Sequence, residues 1–155
     1  MEQHYWLMKS EPDVFSIDDL VRLNSAPWDG IRNYQVRNLL RDHFQIGDLA
    51  FFYHSSCKEP AIVGIMQIIT TAYPDSSALD PSSPYFDPKS TSEKLPWLRV
   101  DVQLVHKLTR PITLATLRQH SEPLTDLPLL KRGNRLSITP VTPEQWHYIL
   151  ALVES

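Results

Sequence analysis

Apolar and polar positions change rhythm several times along the chain, and each rhythm predicts an element. From Arg99 to Leu104 the two kinds alternate strictly, with Val100, Val102 and Leu104 on one side and Arg99, Asp101 and Gln103 on the other. That is the period of a half-buried strand. Leu49–Tyr53 and Ala61–Ile69 are instead nearly continuous apolar runs separated by HSSCKEP, and they predict two neighbouring, largely buried strands joined by a turn. Shorter runs at Tyr5–Met8, ahead of Pro12, and at Leu136–Thr139 predict two more strands.

Helical signals are local. Ser16 reads as an N-cap with Asp18 and Asp19 in the first turn of a helix reaching about Leu23. From Asn33 to Asp42, Val36, Leu39 and Leu40 share one face, and Arg37 and Arg41 fall on a side expected to be solvated. Thr113–Gln119 predicts a short helix. Thr142, Pro143 and Gln145 form a capping box that opens a last helix burying Trp146, Ile149, Leu150 and Val153. Tyr73–Pro96 has neither periodicity and is proline- and serine-rich, so it predicts a long loop, packed down by Tyr73, Tyr85 and Phe86. Five or six strands with short helices predict an α+β fold: a small, partly closed β-barrel decorated with α-helices, forming one domain over residues 1–155.

Composition narrows the function classes. With 13 prolines against 4 glycines, connections should be stiff, and a glycine-rich phosphate loop is absent. No run approaches the roughly 20 apolar residues that cross a bilayer, and MEQHYWLMKSEP has no cationic segment leading into an apolar one. The single cysteine, Cys57, suits a reducing compartment, so a cytoplasmic location without membrane contact is expected. Fifteen Lys and Arg against 18 Asp and Glu give a net charge of −3, so any grip on nucleic acid has to be local.

Catalytic sets are thin. His54 and Cys57 lie three apart, which leaves a small hydrolase or transferase as an alternative, but no orienting group or metal-ligand set accompanies them. Ser55 and Ser56 lack the glycine frame of a nucleophile elbow, and Glu11 has no obvious carboxylate partner. Neither a metal nor a cofactor is expected. What remains is a density of aromatic and hydrogen-bonding residues in YWLMKSEP, WDGIRNYQVRN, FFYHSS and GNRLS. Such mixtures suit a pocket that stacks a planar ligand and reads its edge, while Trp6, Trp28, Phe52 and Tyr53 equally suit a core. A pocket for a free nucleotide-like metabolite fits the same features.

Those segments in this order, with GDLAFFYHSSCKEPAIVGI, SPYFDPKS, RPITL and LLKRGNRLSITPVTPEQW, resemble the EVE domain family of thymocyte nuclear protein type over almost the whole chain. The resemblance implies a PUA-like barrel related to the YTH domains that read methylated adenine in RNA. It implies a non-catalytic reader of a modified base, chiefly modified cytosine in DNA, with RNA also proposed. Eukaryotic relatives often carry a basic tail before this domain, so a chain starting at the first strand implies a bacterial-type member without nuclear targeting.

Carried over on matching motifs, the implied base-binding residues are Trp6, Ser10, Glu11, Asn33, Tyr34, Phe52, Tyr53, His54, Ser55 and Ser137. The implied phosphate contacts are Lys9, Arg32, Lys89, Asn134 and Arg135. Within the first motif, Trp6 would give shape or stacking, Ser10 and Glu11 would meet the base edge, and Lys9 would meet phosphate.

Overall fold

The computed structural model describes residues 4–154. The start of the chain at residues 1–3, on which part of the leader reading rests, and Ser155 lie outside the described residues. The strands are β1 (Tyr5–Ser10), β2 (Ser25–Trp28), β3 (Leu49–His54), β4 (Ala61–Ile68), β5 (Tyr73–Pro74), β6 (Leu98–Thr113) and β7 (Ile138–Val141). The helices are α1 (Ile17–Leu23), α2 (Tyr34–Asp42), α3 (Leu114–Gln119) and α4 (Pro143–Glu154), with single 3₁₀ turns at Ser76–Leu79 and Pro128–Leu130.

The strands form one sheet in the order β2-β6-β4-β3-β1-β7, with β5 added to β6. Among the described residues only β1 and β3 run parallel, in the register Tyr5↔Leu49 to Ser10↔His54. Both outer strands carry a proline, Pro27 in β2 and Pro140 in β7. A residue without an N–H costs an edge strand nothing on its open side. The fold is thus α+β as expected, with seven strands rather than five or six. The additional ones are β2, whose SAPW has no apolar run, and the two-residue β5.

β6 is also longer than the alternation at Arg99–Leu104 predicts, running 16 residues. Its pattern is lost where bulges shift the register against β4, between Ile62 and Gly64 and between Ile65 and Met66. A bulge resets which face each side chain takes, so period-two reasoning fails beyond it.

Alternate residues of the central strands feed two cores. Trp6, Met8, Ala50 and Phe52 enter one with α1 and α2, while Leu7, Phe51 and Tyr53 enter the other with α3 and α4. A sheet covered on both faces explains why Leu49–Tyr53 reads as a continuous apolar run. Trp28 from one edge strand and Ile138 from the other both join Phe52 in the first core, so the sheet curls around it. The edges β2 and β7 are not paired to each other, which leaves the barrel partly closed.

The helix starts follow their caps. Ser16 and Asp19 form a reciprocal capping box, Asn33 accepts from the Val36 amide, and Thr142 and Gln145 form the box that opens α4. No helix among the described residues is long and apolar enough to cross a membrane.

Candidate functional site

A cleft of about 680 Å³ opens where the parallel strands β1 and β3 end. Lys9, Ser10 and Glu11 line it from the end of β1, Ser55 and Ser56 from the end of β3, and Trp28 to Ile31 from the chain leaving β2. Tyr85 of the long loop closes one side, and Arg135 and Ser137 border it before β7. Backbone bonds tie these pieces together: the Ser55 amide donates to the Ser10 carbonyl at 3.0 Å and the Lys9 amide to the Ser137 carbonyl at 2.8 Å.

The aromatic side of the cleft is braced from the core. Trp28 is buried, edge-on to Phe52 at 5.3 Å and to Phe15 at 6.1 Å. Tyr85 lies against Gly30, whose φ of 86° and missing side chain allow the ring to pack on its backbone. The Tyr85 carbonyl accepts two bonds from the Arg32 guanidinium, at 2.6 and 3.2 Å. Arg32 is itself paired with Asp75 at 3.1 Å.

Charge in the cleft is mixed. Burial raises the Asp29 carboxyl pKa against the opposing pull of Arg99, which donates to it at 3.0 Å. Burial also raises the Tyr85 phenol, and the Asp29 and Glu11 carboxylates push the same way, so the hydroxyl stays a protonated donor. Burial lowers the Lys9 ammonium from its ordinary 10.5. Two carboxylate acceptors, a phenol donor and Lys9 and Arg135 as cations therefore surround a partly aromatic space.

Of the residues implied by resemblance, this cleft brings together Lys9, Ser10, Glu11, Ser55, Arg135 and Ser137. The Ser10 hydroxyl already donates to the Phe15 carbonyl at 2.6 Å, which leaves its oxygen free to accept.

The others lie elsewhere. Trp6 is 3% exposed, stacks on Phe44 at 4.4 Å and donates its indole N–H to Asp48 at 2.9 Å; it belongs to the core and borders a separate depression with His4 and Pro140, not this cleft. Phe52 and Tyr53 are buried on opposite faces of the sheet, in separate cores, and the Tyr53 phenol is pushed up to about 12 by burial. Asn33 and Asn134 spend their side-chain oxygens capping the Val36 and Leu136 amides. Arg32 is occupied by Asp75 and by the Tyr85 and Ile31 carbonyls, a structural tie rather than an open phosphate contact. Tyr34 and Lys89 line a neighbouring groove. Arg37, expected on a solvated face, donates to the Pro96 carbonyl at 3.0 Å and covers the Tyr34 ring.

Sequence reasoning did not assign Trp28, Asp29, Gly30 and Tyr85 to the site. The Asp-Gly turn after Trp28 signals only a bend, and Tyr85 reaches it from more than 50 residues away across a loop without periodicity.

His54 is a positioning group. Its Nε2 accepts the Ile17 amide at 3.0 Å and so holds the start of α1 beside the cleft. That bond requires a neutral ring, and burial holds its pKa below the ordinary 6.5 despite the opposing charge of Asp18. The unfolded chain then binds more protons between 6.5 and the folded value. His54 contributes stability that is present above pH 6.5 and lost as pH falls through the folded pKa. Comparing urea midpoints of wild type and His54→Asn from pH 7.5 to 5 should show a larger acid loss in wild type. The partly exposed ring keeps that difference below the roughly 1 kcal/mol of a typical hydrogen bond. Parallel pH curves would refute this role. Among the described residues no hydrogen bond joins His54 to Cys57, and no group of three metal-ligating side chains occurs.

The sequence matches the EVE domain over residues 4–152. It is 43% identical to mouse thymocyte nuclear protein 1, over 98% of this chain and 74% of that protein. A crystal structure of a Pseudomonas syringae protein superposes with a TM-score of 0.92 at 57% identity, covering 96% of this chain and 99% of the other. Human THYN1, solved in complex with DNA containing 5-methylcytosine, superposes with a TM-score of 0.92 at 42% identity, covering 99% of each chain. The YTH domain of a Zygosaccharomyces rouxii protein shares the fold at a TM-score of 0.57 and 12% identity, over 98% of this chain and 87% of that one. The implied PUA-like architecture is therefore the observed one, and the chain belongs to the EVE domain family.

Proposed function

We propose that residues 1–155 form a single non-catalytic domain that binds nucleic acid and reads a modified base, a modified cytosine in DNA, in the cleft at the ends of β1 and β3. The observation that carries this reading is the grouping of Trp28 and Tyr85 with Ser10, Glu11 and Asp29 in one space, bordered by Lys9 and Arg135. A relative of the same fold has been solved with DNA containing 5-methylcytosine.

The division of labour follows from chemistry. An aromatic wall takes a base by its face at about 1–3 kcal/mol per stack, close to the few kcal/mol that unpairing costs in a duplex. The surplus comes from the edge and the backbone. Glu11 and Asp29 accept from an exocyclic amine, as carboxylates do with cytosine, and Lys9 and Arg135 take phosphate. A buried methyl adds only about 0.8 kcal/mol, so discrimination depends on how tightly the cleft closes around the modified atom.

Fluorescence titration of oligonucleotides carrying 5-methylcytosine, cytosine or thymine tests this. The methylated probe should bind best. Glu11→Gln should weaken it by roughly 1–3 kcal/mol by converting one acceptor edge to a donor. Equal affinity for all three bases would refute base reading. Turnover of a substrate abolished by Cys57→Ala would instead establish the hydrolase alternative.

A further inference from the structure

A second depression of about 890 Å³ adjoins the cleft, and the two share Pro84 and Tyr85 as a common wall. Its far side is formed by Tyr34 at the start of α2 and by Trp97, whose rings lie 4.7 Å apart. Seven large hydrophobic residues are exposed among the described residues, and the two aromatic ones, Tyr34 at 55% and Phe86 at 40%, both line this groove. Exposed aromatic rings cost solvation that a protein normally avoids, and two at one place mark a binding surface.

The charges around these rings favour an anion. Lys89 and Lys94 line the groove, are exposed, and form no ion pair among the described residues. Of the two acids there, Asp87 is consumed internally. Its carboxylate accepts the Trp97 indole N–H at 2.8 Å, the Ser90 hydroxyl at 2.7 Å and the Lys89 amide at 3.0 Å. Glu93 alone opposes the lysines. The Arg37 guanidinium adds a planar cation 5.0 Å from the Tyr34 ring.

We infer that this groove binds the nucleotides flanking the read base on the same strand. One flanking base stacks against Phe86 or packs on the part of the Tyr34 ring that Trp97 and Arg37 leave exposed, and the connecting phosphates pass to Lys89 and Lys94. Continuity through Pro84 and Tyr85 favours a polymer, because a free nucleotide in the cleft has no group that reaches across that wall. Stacked aromatics with basic side chains suit a single-stranded or locally opened segment, whose bases present free faces. The inference rests on the reader function of the cleft and adds what kind of nucleic acid it accepts.

Binding of 5-methyldeoxycytidine monophosphate, a single-stranded trinucleotide and a nonanucleotide, each with one 5-methylcytosine, separates the two. Wild type should gain affinity from the monophosphate to the nonanucleotide. Tyr34→Ala and Phe86→Ala should each remove about tenfold of that gain, within the range of one lost stack, with monophosphate affinity unchanged. Lys89→Gln with Lys94→Gln should lower the slope of log affinity against log salt by about 1.4 on single strands. A monophosphate that binds as tightly as the nonanucleotide, or variants that bind every probe as wild type does, would overturn the groove assignment alone. Failure of every methylated probe would overturn the reader function, and this inference with it.

Discussion

Asp75→Ala is expected to destabilise the protein by about 3–5 kcal/mol, the usual cost of leaving a buried ion-pair partner uncompensated. Asp75 is fully buried, and its carboxylate accepts from the Gly30 amide at 3.1 Å, the Arg32 guanidinium at 3.1 Å, and the amide and hydroxyl of Ser77. The Arg99 guanidinium lies 3.9 Å away. Burial alone would raise this carboxyl, yet the bonds from Ser77, Gly30 and Arg32 more than offset it and hold the pKa below its ordinary value. Its contribution is therefore present above pH 4 and lost as pH falls through the folded value.

In a chain of this length such a loss lowers the melting temperature by roughly 10–15 °C. Asp75→Asn keeps the shape but turns one acceptor into a donor facing Gly30 or Arg32, so its loss should be intermediate. Thermal unfolding of the three proteins measures this order. An Asp75→Ala protein that melts with wild type would show that Arg32 and Gly30 are held without it.

Asp75 also shows where sequence reasoning stops. The Ser16 N-cap and the Thr142 capping box were legible because the partners of each sit within three residues of each other. The apolar runs of β3 and β4 were legible because a sheet covered on both faces demands them. Asp75 lies 43 residues from Arg32, in a stretch whose spacing carries no period, and a lone Asp after a proline reads only as a turn.

The same limit explains Trp6. Its mixed neighbourhood suggested a pocket, but Asp48, 42 residues on, takes its indole N–H and makes it a satisfied core side chain. Three of the four residues assigned in the first motif line the cleft, because Lys9, Ser10 and Glu11 emerge from the end of β1 while Trp6 lies at its start. Position along a strand separated residues that sequence proximity had grouped. Tyr53 was separated from Phe52 by pleat alone, since neighbours on a strand point to opposite faces.

Gly30→Ala should abolish most binding while leaving the protein folded. Two separate constraints meet at this residue. Its φ of 86° lies in the left-handed region, where a side chain costs about 1–2 kcal/mol. A methyl there would also sit 2.7 Å from Cζ of Tyr85, inside any ordinary contact, so the ring must move. Tyr85 cannot simply retreat with its backbone, because its carbonyl is fixed by Arg32. The ring must swing about its side-chain bonds, which removes one wall of the cleft and the phenol donor beside Glu11 and Asp29. Losing a stacking surface and an edge contact together corresponds to about 2–4 kcal/mol, or 30- to 1000-fold in affinity for a methylated oligonucleotide. Tyr85→Ala with Gly30→Ala is the informative double variant. Without the ring the three atoms nearest the methyl are gone and only the backbone cost remains, so the double variant should bind like Tyr85→Ala alone and recover part of the lost stability. Additive losses in binding would mean that Gly30 acts through its own backbone, and wild-type affinity in Gly30→Ala would remove Tyr85 from the cleft wall.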